Sequence, residues 1–104
     1  MPHGFWIKLK HMEQKQLDEI RDLGALAYTP EQVAQVLGMD PGELSARVQD
    51  PLDNAGRAYW SGWYATDIPL RKSIFDLAKR GSSPAQSEAR RIMAETEARR
   101  YYGQ

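Results

Sequence analysis

Cysteine is absent from this sequence of 104 residues, which removes disulfides, thiolate nucleophiles and thiolate metal sites together. Long apolar runs are absent too. None approaches the ~20 residues that a membrane-crossing helix needs, so no span and no membrane partner are expected. Histidine occurs only as His3 and His11, without the helical i, i+4 spacing of a ligand pair, so no metal site is expected. A Ser–His–Asp set and a Gly-rich phosphate loop are also missing. The expectation is no catalytic residue, no cofactor and no enzymatic activity. Net charge is lacking as well, since 14 Lys and Arg offset 14 Asp and Glu. Phosphate affinity rests on cations, so one copy should bind nucleic acid weakly, while several linked copies would gain by avidity. A chain this short buries a limited fraction of its surface alone, which favours self-association.

The neutral total hides an asymmetry. Up to Leu52 there are five Lys/Arg against eight Asp/Glu; from Asp53 onward there are nine against six. Residues 1–11, MPHGFWIKLKH, are too short and mixed for a signal peptide. They read as a leader left by cloning, with Met12 as the natural start, or as a disordered arm. Because Phe5, Trp6 and Ile7 flank Lys8 and Lys10, a membrane-surface anchor and a partner-binding peptide are the rival readings.

No segment alternates with period two, so the expected fold class is all-α, with helices marked by their caps. Thr29-Pro30-Glu31-Gln32, Asp40-Pro41-Gly42-Glu43 and Ser83-Pro84-Ala85-Gln86 each read as cap, proline, any residue, then Glu or Gln. The cap oxygen accepts an orphan amide of the first turn. Proline at the first position gives up an amide that had no partner, and the Glu or Gln reaches back. Leu17, Ile20, Leu23 and Leu26 predict a helix from about Glu13 to Ala27. A second runs from Pro30 to about Leu37, with Val33, Ala34 and Leu37 inward and Gly38 as its stop. A third runs from Pro41 to about Gln49, with Leu44 and Val48 inward. Asp50-Pro51 either stops it or starts the next.

From Asp53 to Arg80 the pattern is helical. Tyr59, Trp63, Thr66, Leu70, Ile74 and Leu77 form one stripe at steps of four and three. Trp60, Tyr64, Ile68 and Phe75 form a second set off that stripe. Pro69 removes a backbone hydrogen bond and predicts a kink, with a break near Asp67 as the alternative. After a turn at Gly81-Ser82-Ser83, a last helix should run from Pro84 to about Tyr102, with Ala85, Ala89, Ile92 and Thr96 as a slender face. The expected architecture is a helix-turn-helix unit over 12–50 and an antiparallel helical hairpin over 51–104.

Residues Thr29 to Gln49 carry the helix-turn-helix pattern, with Val33, Leu37, Met39 and Leu44 where such a motif buries apolar groups. Arg47 stands where many such motifs bury an aliphatic, and Val48 serves instead. If the unit reads double-stranded DNA, Arg47 would contact guanine or phosphate, Gln49 adenine and Ser45 phosphate, with Gln32 and Gln35 on the backbone. The same geometry also serves a protein-binding or purely structural three-helix unit.

The segment Gly56 to Gln86, GRAYWSGWYATDIPLRKSIFDLAKRGSSPAQ, resembles the part of phage small terminase subunits that follows their DNA-binding helices. The resemblance lies in Ala58-Tyr59, Gly62, Leu70-Arg71-Lys72-Ser73-Ile74-Phe75, Leu77-Ala78-Lys79 and Gly81-Ser82-Ser83-Pro84-Ala85. Pro69 and the near-neutral DNA-reading unit depart from the family pattern. What the resemblance implies is a ring-forming homo-oligomer that binds phage DNA, acts in the cytoplasm of an infected or lysogenic bacterial host, and regulates a large terminase subunit. That partner holds the ATPase and nuclease; the small subunit does no chemistry. The residues alone also admit a dimeric helix-turn-helix regulator of a mobile element and a helical adaptor that does not bind DNA.

Self-association has support of its own in the residues. The helix over 53–80 carries apolar groups on two faces, and a two-helix hairpin buries one seam. Tyr59, Trp60, Trp63, Tyr64, Ile68, Leu70, Ile74 and Phe75 are therefore the candidate interface, with packing on the helix-turn-helix unit as the competing fate. Arg71-Lys72, Lys79-Arg80, Arg90-Arg91 and Arg99-Arg100 form a basic series that either attracts DNA or is a solvated helix face.

Overall fold

The computed structural model describes residues 12–102, so the leader expected at residues 1–11 lies outside the described residues. Among these residues the chain is all-helical, with five helices and no strand: α1 (Gln14–Ala25), α2 (Pro30–Leu37), α3 (Pro41–Val48), α4 (Asn54–Lys79) and α5 (Ser83–Tyr102). Contacts divide the chain into two compact units, and the division falls between Thr66 and Asp67. The N-terminal part of α4 is claimed by the first unit because Tyr59 is buried in the same cluster as α1, α2 and α3.

That first core is Ile20, Val33, Ala34, Leu44, Val48, Ala55 and Tyr59, with Leu17, Leu37, Met39, Ala58 and Trp63 packed against it. The inward positions read from periodicity in α2 and α3 are among them. Leu26 is not: it is 70% exposed at the end of α1. Helix α1 stops at Ala25, two residues before the expected end. Ala27 turns left-handed (φ 65°), its amide donates to the Gly24 carbonyl, and the Tyr28 amide donates to Leu23. This double bond pattern caps a helix C-terminus.

The cap of α2 forms as expected, and α3 has its Asp40 cap without the reciprocal bond from the Glu43 side chain. Thr29 accepts from the Gln32 amide at 3.2 Å while the Gln32 side chain accepts from the Thr29 amide at 2.9 Å. Asp40 accepts from the Glu43 amide at 2.8 Å. Gly38 ends α2 at φ 71°, which a residue with a Cβ adopts only at a cost. Asp50-Pro51 stops α3 and lies in a turn; α4 begins at Asn54.

Backbone proximity adds to the shared side-chain core in joining α1 to the first part of α4. A Cβ on Gly62 would lie 1.9 Å from the Arg21 carbonyl oxygen, and one on Gly24 would lie 2.6 Å from that of Tyr59. Glycine at both places lets the two helices touch along their main chains. The Thr66 hydroxyl adds a 2.7 Å hydrogen bond to the Ala25 carbonyl.

In the second unit, the helical backbone of α4 continues through Pro69, so the chain does not break there. The missing amide of Pro69 leaves the Ala65 carbonyl without its i+4 donor. Arg71 and Asp67 form an ion pair at 2.7 Å across the same turn. The Gly81-Ser82 turn is closed by the amides of Gly81 and Ser82, which donate to Ala78 and Leu77. The cap of α5 is Ser82 rather than Ser83: its hydroxyl accepts from the Ala85 amide at 3.3 Å. The Gln86 side chain donates to the Ala78 carbonyl at 3.0 Å instead of reaching back to a cap amide. Ala85, Ala89 and Ile92 are buried, whereas Thr96, the next position on that stripe, is exposed.

Candidate functional site

The five residues expected to meet DNA have different surroundings. Gln35 and Gln49 are exposed. Gln32 is exposed too, but its side chain completes the α2 cap. Ser45 is half-buried. The Glu31 carboxyl is held below the ordinary range first by its own backbone amide and then by the nearby Ser45 hydroxyl.

Arg47 faces the start of α4. Its Nε lies 2.9 Å from Asp53 Oδ2 and 3.1 Å from Oδ1, and its Nη2 lies 3.0 Å from the Asn54 side-chain oxygen. Side-chain exposure is 13% for Arg47 and 21% for Asp53. Burial pushes the Asp53 carboxyl upward, but the Arg47 hydrogen bond, the amides of Ala55 and Gly56 and the Arg47 charge together hold it below its ordinary value. Arg47 is the one cation of α3, and it is spent on the corner between α3 and α4.

Charge divides where the structure divides. Residues 12–66 carry four Lys/Arg and nine Asp/Glu; residues 67–104 carry eight and five. The unit with the helix-turn-helix pattern is thus acidic, and an acidic surface repels phosphate.

The candidate interface residues also separate. Tyr59 is 4% exposed and belongs to the first core, and its hydroxyl donates to the Tyr28 carbonyl at 2.8 Å. Burial, and then the negative charge of Glu31, raise its pKa. Trp63 is half-buried against that core. Trp60 sends its indole N–H to the Val48 carbonyl at 3.0 Å, yet 40% of the residue stays exposed. Its ring meets Trp63 edge-on at 5.8 Å and Tyr64 at 5.9 Å. Tyr64 is 49% and Ile68 54% exposed, and Leu70 is also exposed. Ile74 and Phe75 are half-buried.

Val36 in the first unit and Leu77 and Met93 in the second are exposed as well and were not among the expected site residues. Leu77 lay on the recognised stripe; the exposure of Val36 and Met93 has no signature in spacing. In the second unit, Ile68 and Phe75 line a shallow groove together with Arg71, Lys72, Asp76 and Lys79. Among the described residues no group of three or more His, Asp or Glu is arranged to hold a metal ion. None of their helices is long and apolar enough to cross a membrane.

The chain was compared with models of protein families, with curated proteins and with solved structures, and none of the three comparisons gave a match.

Proposed function

We propose that this chain is the non-catalytic DNA-recognition subunit of a phage or prophage genome-packaging terminase. It assembles as a ring and regulates a large subunit that carries the ATPase and nuclease. The observation that carries this reading is the apolar surface left along α4. After the first core has taken Tyr59 and the inner side of Trp63, the residues Trp60, Tyr64, Ile68 and Leu70 still face solvent. Exposed aromatic and aliphatic groups of this size on one helix are interface anchors. A head-to-tail contact repeated by rotation closes a ring. The element order supports the same reading: α2 and α3 serve as a helix-turn-helix, and α4 with α5 as the hairpin that builds the assembly. The likeness to small terminase subunits rests on the residues between Gly56 and Gln86 and on that order. The site of action in this reading is the host cytoplasm.

Light scattering or native mass measurement tests the proposal. A closed assembly well above a dimer supports it, and co-purification with a large terminase subunit extends it. A monomer at micromolar concentration removes it, and a strict dimer transfers the chain to the regulator class.

A second reading has one specific observation in its favour. Because Arg47 is engaged by Asp53 and Asn54 in an acidic unit, α2 and α3 also suit a helical adaptor whose helix-turn-helix geometry is a packing device. Absence of any DNA binding in an assembled protein selects this reading.

A further inference from the structure

Cations that are already engaged hold little in reserve for phosphates. In the first unit Arg47 is paired with Asp53, Arg21 lies beside Asp18 and Asp22, and Arg57 reaches the Leu52 carbonyl, while Lys15 is exposed and makes no ion pair among the described residues. In the second unit Arg71 is paired with Asp67, and Arg91 with Glu88 and Glu95. Six other cations of that unit, Lys72, Lys79, Arg80, Arg90, Arg99 and Arg100, are exposed and make no ion pair among the described residues. Lys79 and Arg80 close α4, and Arg99 and Arg100 lie in the last turn of α5, where cations also complement the helix dipole. Lys72 and Arg90 stand in helix interiors, where the dipole gives no reason for them.

We propose that duplex DNA is held through its phosphates by these six cations of the second unit, and that α3 contributes little to affinity. The inference rests on the reading of the protein as DNA-binding and relocates the contact within it. The physical argument is counterion release. Each cation that neutralises a phosphate frees a condensed ion, so affinity tracks the number of available cations and not the shape of a groove-sized helix. Among the described residues the second unit has six such cations, and the first has Lys15 within an acidic surface. The contact so formed reads the backbone and carries no base information. Multiplied over the copies of an assembly, a modest affinity per copy becomes tight and sequence-tolerant.

The test uses the full chain and a random-sequence DNA duplex, with binding read by fluorescence anisotropy across a salt series. One variant replaces the six cations by glutamine; a second replaces only Lys72 and Arg90; a third carries Gln35→Ala and Gln49→Ala on the helix-turn-helix. Circular dichroism and light scattering of each variant record helicity and copy number. The expected result is at least a roughly tenfold loss for the six-residue variant, with the salt slope falling by about one for each contact removed. The Lys72 and Arg90 variant loses less in proportion, and the Gln35 and Gln49 variant stays near wild type. The inference is overturned if the third variant weakens binding and the first, still folded, does not. It is equally overturned if the wild type binds anionic phosphatidylserine vesicles and no duplex, or binds neither. A ring that binds DNA through α3 would defeat this inference and leave the packaging proposal standing; a monomer that binds through the six cations would do the reverse.

Discussion

The Arg47 guanidinium meets the Asp53 carboxylate at 2.9 Å and bonds the neighbouring Asn54 as well, so the cation of α3 anchors the start of α4. A residue that looks like a base-reading arginine in the sequence is, in the folded chain, a corner brace. Its removal perturbs folding before it perturbs any ligand. Gln35 and Gln49 are the cleaner probes of that surface, because neither has a structural duty that its loss would expose.

The Asp53 carboxyl has a depressed pKa in the folded state. The sign follows directly. The stabilisation is present in full above the unfolded value, near 3.8, and is lost as pH falls through the lower folded value. Asp53→Asn should cost about 1–2 kcal/mol at neutral pH, allowing for solvent screening of a partly exposed pair. The gap in melting temperature between wild type and variant should narrow as the medium is acidified below about pH 4. Thermal melts at several pH values check this, and a gap that widens would be contrary to it.

Gly62 packs its α-carbon side directly on the Arg21 main chain, with 1.9 Å between a hypothetical Cβ and the carbonyl oxygen. Two backbones cannot yield as a side chain does. Gly62→Ala should therefore destabilise the first unit by ~3 kcal/mol or more, although alanine is the better helix former by about 1 kcal/mol. Urea titration followed by circular dichroism measures it, and a more stable variant would mean that the helices are not so close.

Ala27 occupies a left-handed position at the end of α1, where glycine is the usual occupant. Ala27→Gly should stabilise the chain by roughly 0.5–1 kcal/mol, since relief of the left-handed strain outweighs the entropy that glycine adds to the unfolded state. The check is a rise in melting temperature with no change in copy number.

Tyr64 and Ile68 are half exposed and serve neither a cap nor a core hydrogen bond. The double variant Tyr64→Glu, Ile68→Glu should lower the copy number seen by light scattering while mean helicity stays within about a tenth of wild type, as surface changes rarely unfold a domain. Unchanged copy number would place the assembly surface elsewhere.

Much of the local structure was legible because its causes are local. The cap of α2 depends on Thr29 and Gln32, three residues apart, and Gly38 stops the helix where only a left-handed turn fits. The misjudged boundaries were equally local but ambiguous. Ala27 is a good helix former placed in a turn, and of two adjacent serines Ser82, not Ser83, caps α5. The fates of Arg47, Gly62 and the α4 aromatics were not legible. Each depends on which distant segment arrives beside it.

The order and approximate extent of the helices, the cap residues Thr29 and Asp40 and the inward face of α2 and α3 follow from the amino-acid sequence alone, because periodicity and capping act within a few residues. The tertiary structure alone decided which side chains are left over. It set Tyr59 in the first unit's core, bound Arg47 into an ion pair, and left Tyr64 and Ile68 in solvent. The reason is physical: burial and pairing are settled by contacts between segments tens of residues apart, and a repeat of apolar residues along one helix does not say which of its faces will be covered.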